Sequence, residues 1–188
     1  MDKAARLLTD YVKKKGVIGE KERDVYEYGF LIALEAMSGF LACMVLAAML
    51  HMTWEGFLFF LIFIPMRSFA GGLHLDQYWK CFLLSCATFL LVLLLVKAVD
   101  IPMAVSFVSI LLMMGCIYGM YPVEHHNRQV DKEENSYFRK QLIKYLVIDF
   151  GIAAGCYILK KEKALSLLAV TFGLLAVTML IGKARQKK

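Results

Sequence analysis

The sequence predicts an all-α polytopic membrane protein: about six transmembrane or membrane-embedded helices, preceded by an amphipathic surface helix. Three observations carry that expectation. The chain has 188 residues, of which 60% are hydrophobic and only 20% charged. Mean hydropathy is +0.59. A soluble domain of this length could not cover so much apolar surface with so few charges. The apolar runs also approach roughly 20 residues, the length a helix needs to cross a hydrocarbon core. They are apolar on every face, which excludes the dyad alternation of a transmembrane barrel. Helices are the open alternative, because lipid offers no partner to a free backbone group.

Residues 1–27 form the first element. Ala4, Ala5, Leu7, Leu8, Tyr11 and Val12 recur at helical spacing against Lys3, Arg6, Asp10, Lys13 and Lys14. This pattern predicts an amphipathic helix lying on the membrane surface, in contact with lipid. One membrane domain then occupies residues 28–182. Its first span runs from about Tyr28 to Leu50, with Glu35 inside. A shorter apolar stretch, Trp54 to Pro65, is either a tilted span or a re-entrant segment. Further spans cover about Cys81 to Val99 and Met103 to Tyr121. A hydrophilic loop occupies 122–144, the longest interior break. Spans at about Tyr145 to Leu159 and Ala164 to Ile181 close a hairpin around Lys160-Lys161-Glu162-Lys163, and 183–188 is a basic tail.

The net charge of +6 does not point to nucleic acid, since no basic stripe with interleaved aromatics occurs. Lys and Arg instead sort by side. With six crossings, one side holds seven in residues 3–23, Arg67 and Lys80, five in 128–144 and four in 183–188. The other side holds only Lys97, Lys160, Lys161 and Lys163. The positive-inside rule then puts both termini, and the segment from Arg67 to Lys80, in the cytoplasm. Five cysteines, an odd number without paired spacing, indicate no disulfide framework. No cleavable signal peptide is read, because the polar N-terminal stretch is too long and the first apolar run is long enough to span.

Most of the unusual residues gather in Arg67-Ser68-Phe69-Ala70-Gly71-Gly72-Leu73-His74-Leu75-Asp76-Gln77-Tyr78-Trp79-Lys80-Cys81. Adjacent glycines permit positive φ and close backbone approach. An imidazole can take the proton of a thiol, stabilise the thiolate and later protonate a leaving amine. Arg67 and Lys80 add positive potential beside the thiol. On a continuous helix, however, seven residues would separate His74 from Cys81 by about 10.5 Å along the axis. A working dyad therefore requires the chain to break from regular helix before Cys81. Gln77, or the Gly71 and Gly72 amides, are candidate oxyanion donors. Arg67 is a candidate for holding a substrate carboxylate, and Glu35 for lining a cavity or pairing with Arg67. Glu124, His125 and His126 with His74 lack the HExxH pattern of a zinc peptidase, so no metal or other cofactor is expected. The residues alone leave a second class open, a non-enzymatic transporter or peptide-export component in which His74 and Cys81 are structural.

Arg67, the Ala70-Gly71-Gly72 run, His74 and Cys81 resemble the signature of the accessory gene regulator B (AgrB) family of bacterial membrane endopeptidases. Tyr121-Pro122-Val123-Glu124-His125-His126-Asn127-Arg128 is similar to that family's loop, with His126 and Gln129 where prolines are common, and Leu75 follows the motif histidine where a small residue is usual. The resemblance covers nearly the whole chain. It implies a cysteine endopeptidase of the bacterial cell membrane that removes the C-terminal tail of an AgrD-type quorum-sensing propeptide and cyclises the remainder to a thiolactone or lactone. Cys81 would be the nucleophile and His74 the general base and acid, in a homodimer.

Overall fold

The computed structural model describes residues 1–71, 77–122 and 132–186. Among them are seven α-helices: α1 (Asp2–Lys14), α2 (Arg23–Met49), α3 (Thr53–Ala70), α4 (Tyr78–Ala98), α5 (Met103–Met120), α6 (Lys132–Ile158) and α7 (Glu162–Gln186). The six helices from α2 onward are long and apolar enough to cross a membrane, and the protein is a multi-pass membrane protein.

Of residues 1–27, only the first half forms the expected amphipathic helix. It stops where Gly16 takes φ +72°, and a 3₁₀ turn at Glu20–Glu22 leads into α2. Ala5 and Thr9 are buried, with the Thr9 hydroxyl donating to the Ala5 carbonyl at 2.9 Å. Arg6 pairs with Glu27 at 2.9 Å, Arg23 with Asp10 at 3.1 Å, and Lys13 with Glu20. Such exposed pairs contribute little individually, but together they orient α1 along the start of α2. Leu7, Leu8 and Tyr11 remain exposed.

Within the bundle, α3 and α7 pack between two flanking pairs. On one side Cys43 and Ala47 of α2, Phe59 of α3, Phe89, Val92, Leu93 and Val96 of α4 and Leu167 of α7 form one core. On the other, Ile62 and Met66 of α3 and Ile110, Met114 and Ile117 of α5 join Leu142 and Ala153 of α6 and the Leu165–Met179 face of α7. Lipid tails are as apolar as leucine, so association in a bilayer depends on close packing and small residues. Gly56 shows this directly: a Cβ there would stand 2.8 Å from the Ala47 Cβ and 3.2 Å from Phe89 Cζ. Large apolar residues such as Leu41, Leu61, Leu83, Leu112, Val147 and Leu180 remain on the outside, as lipid-facing positions should.

Two helices outrun their apolar cores. α3 is a full helix of 18 residues that continues past Pro65 to Ala70, and so carries Arg67 in its last turn. Transmembrane helices tolerate such a proline when neighbours re-satisfy the freed carbonyl. α6 starts at Lys132, so 132–144, read from composition as loop, is its first three and a half turns. That stretch is polar, but Phe138, Leu142 and Tyr145 recur at helical spacing and pack inward: Phe69 of α3 lies 5.9 Å from Phe138 and stacks on Tyr145 at 5.4 Å. Tyr121 caps the junction by donating to Asn135 Oδ1 at 2.7 Å.

Candidate functional site

The end of α3 and the start of α4 carry the described part of the predicted site. α3 terminates at Gly71, whose backbone sits at φ +80° and ψ −161°, with its N–H on the Arg67 carbonyl at 3.2 Å. That conformation belongs to glycine, because a Cβ there meets the flanking carbonyls. The positive φ expected of this glycine pair is thus present at Gly71. Gly72 and His74 lie outside the described residues, as do Leu73, Leu75 and Asp76.

α4 begins at Tyr78, preceded by Gln77 in extended conformation at φ −107° and ψ 122°. This is the break from helix that the His74–Cys81 spacing required. Gln77 is the N-cap of α4, one turn before Cys81, and its carbonyl accepts the Cys81 N–H at 3.1 Å. Cys81 sits in the first turn of α4 as a half-buried free thiol. The Gln77 side chain does not cap α4, and the N-terminal turn that bears Cys81 carries the positive end of the helix dipole. Arg67 is half-buried on the facing end of α3, within electrostatic reach of Cys81. Of the other cysteines, Cys43 and Cys86 lie well inside spans, while Cys116 and Cys156 lie near the C-terminal ends of α5 and α6.

Helix lengths set the depth of this pair. Tyr78 is level with Ser38, since the two hydroxyls are 2.6 Å apart. Ser38 lies 15 residues into α2, about 22 Å along its axis from Arg23 at the helical rise. α3 likewise ends against Phe138 and Tyr145 rather than against the start of α6. The α3 and α4 ends that bear Arg67 and Cys81 are thus set back from the N-terminal ends of α2 and α6. Aromatic rings crowd that level: Tyr78, Trp79 and Phe82 lie 5.2–6.0 Å apart.

Glu35 is half-buried in mid-α2, and among the described residues no ion pair joins it to Arg67. Its backbone carbonyl instead accepts the Ser38 hydroxyl at 2.8 Å. Ser38 itself escaped sequence reasoning. One hydroxyl in an apolar span carries no signal of a contact 40 residues away. Of the second motif, Tyr121 and Pro122 follow α5, on the same side of the bundle as Arg67 and Cys81, and residues 123–131 lie outside the described residues.

A family model described as accessory gene regulator B (AgrB) matches residues 5–181, nearly the whole chain. The chain belongs to the AgrB family. Membership gives it a role in the processing of quorum-sensing propeptides, in keeping with its multi-pass architecture. No curated protein and no solved structure matches the chain.

Proposed function

We propose that this AgrB-family protein is a membrane cysteine endopeptidase and cyclase for an AgrD-type propeptide. Cys81 is the nucleophile and His74 its general base, with the site opening to the cytoplasm. The carrying observation is the position of Cys81: a thiol in the first turn of α4, after a backbone break, with Arg67 of α3 in electrostatic reach.

The reaction has two acyl transfers. In the first, the Cys81 thiolate attacks a propeptide amide, His74 having taken the thiol proton. The C–N bond breaks, the tail amine takes that proton from His74, and the propeptide is left as a thioester on Cys81. A thiol or hydroxyl within the propeptide then attacks the thioester, closing a thiolactone or lactone and returning the proton to Cys81. Exchange of one thioester for another is nearly neutral and needs no nucleotide. The first step is uphill from an amide, and loss of the tail draws it forward. Water is the competing nucleophile. A site set back between helix ends in an apolar bundle keeps water scarce and holds the internal nucleophile at high effective concentration. Arg67 suits a substrate carboxylate, and the first-turn amides of α4 or the Gln77 side chain suit the oxyanion.

Membranes holding Cys81→Ser or His74→Ala, incubated with a propeptide, test the reading. Both variants should release no C-terminal tail, whereas Cys116→Ser should release it at the wild-type rate. Tail release by Cys81→Ser at the wild-type rate would refute the endopeptidase reading and favour a non-enzymatic role.

A further inference from the structure

A hydrogen-bond chain connects the first turn of α4 to the middle of α2. The Ser38 hydroxyl has a single proton, which goes to the Glu35 carbonyl at 2.8 Å. At the 2.6 Å contact between Ser38 Oγ and Tyr78 Oη, the phenol must therefore be the donor. Both groups are partly buried in an apolar bundle, where a hydrogen bond is stronger than in water and an unmade one costs more.

Two further contacts run in the same parallel direction up the helix pair. A Cβ on Gly39 would lie 4.0 Å from the Phe82 ring, and the Cys43 and Cys86 sulfurs are 3.9 Å apart. Of the three, Tyr78–Ser38 is the short, strongly directional one, and Tyr78 lies three residues before Cys81. Close packing of Phe89, Val92, Leu93 and Val96 fixes the body of α4, but its first turn lies more than two turns ahead of them. There a short O–H···O bond constrains the backbone, because its distance and angle tolerances are narrow. Rewinding that turn by one residue would swing Cys81 about 100° around the axis.

We propose that Tyr78 and Ser38 are positioning residues for the acyl-transfer reaction, fixing the first turn of α4 so that the Cys81 thiol is held toward the scissile carbonyl. The inference rests on Cys81 being the nucleophile. It adds that Glu35 contributes through its backbone carbonyl, so the Glu35 side chain is dispensable for the chain of bonds.

The experiment measures tail release by Tyr78→Phe, Ser38→Ala, Ser38→Thr and Cys81→Ser in membranes at matched protein level, with kcat and KM separated. Tyr78→Phe keeps the ring and removes only the donor, and should lower kcat about tenfold or more with KM little changed, as misplacement of a reacting group does. Ser38→Ala should match it, the double variant should lose no more than either single one, and Ser38→Thr should recover most of the rate. The rate of Cys81 alkylation by a small maleimide should change in Tyr78→Phe, while that of Cys116 does not. Wild-type kcat in Tyr78→Phe, with Cys81→Ser inactive, overturns the positioning role and leaves the nucleophile assignment standing. Activity in Cys81→Ser overturns the nucleophile assignment itself. Equal losses in Ser38→Thr and Ser38→Ala show that bulk, not the hydroxyl, matters at this position, and also overturn the proposal.

Discussion

Replacing Gly71 with alanine places a Cβ at a backbone conformation that only glycine holds without strain, φ +80° and ψ −161°. Forcing another residue into such a region costs about 1–3 kcal/mol. The substitution also removes freedom from the unfolded chain, which returns about 0.4–1 kcal/mol. The net loss is then on the order of 1–2 kcal/mol, equivalent to a few degrees in Tm for a chain of this length. Function should suffer more than stability. If the chain relaxes to an ordinary φ at position 71, the direction in which it leaves α3 changes just before the proposed site. A displacement of about 1 Å at a reacting group can cost roughly a hundredfold in rate. Gly71→Ala should therefore lower Tm by a few degrees, measured by dye-monitored melting in detergent, and lower propeptide tail release at least tenfold. Gly16→Ala is the control: Gly16 has φ +72°, lies in the turn after α1, and has nothing within 4 Å of where a Cβ would stand. It should lose similar stability and keep its activity. Wild-type melting and wild-type rate in Gly71→Ala would refute the argument from backbone strain.

Three other expectations follow from packing. Gly56→Leu must push apart α2, α3 and α4, given the 2.8 Å approach to Ala47, and should cost about 1–3 kcal/mol or more by overpacking, visible as a lower Tm; an unchanged Tm contradicts the close helix crossing. Diamide treatment should couple Cys43 to Cys86 within one chain, because their sulfurs are already 3.9 Å apart; intact mass should fall by two hydrogens, and absence of the link contradicts the parallel α2–α4 register. Asp149 is buried in α6, and one of its carboxyl oxygens has no hydrogen-bond partner among the described residues; Asp149→Leu should leave the fold intact and raise stability by about 1–3 kcal/mol, the cost of an unsatisfied buried polar group. A lower Tm in that variant would show that the carboxyl makes a stabilising contact.

The number and order of the spans were legible because lipid enforces a minimum length of apolar residues, and α4, α5 and α7 follow their hydrophobic runs closely. Helix ends were less legible. α6 starts 13 residues ahead of the expected Tyr145 because a helix leaving the membrane turns polar without ceasing to be helical. The clue was the helical spacing of Phe138, Leu142 and Tyr145, diluted by the intervening Lys and Arg. α3 passes Pro65 because the bundle, not propensity, decides where it ends; Gly71 stops it. The break before Cys81 was legible once His74 and Cys81 were taken as a pair, since residues seven apart on one helix stand about 10.5 Å apart along its axis. Depth was not: the pairing of Tyr78 with Ser38, together with Phe82 at Gly39 and Cys86 at Cys43, shows that the start of α4 is set back along α2. That pairing joins residues 40 apart, and no local pattern announces it.

The most direct test of the account is to trap the acyl-enzyme. A propeptide whose ring-closing thiol or hydroxyl is replaced by alanine can complete the first transfer but not the second. Incubated with the wild-type protein in membranes and analysed by intact mass and peptide mapping, it should leave the propeptide, minus its C-terminal tail, attached to Cys81 through a hydroxylamine-labile bond. His74→Ala should accumulate no such adduct. Release of the tail without any adduct on Cys81, or an adduct mapped to another cysteine, would contradict the assignment of Cys81 as the nucleophile.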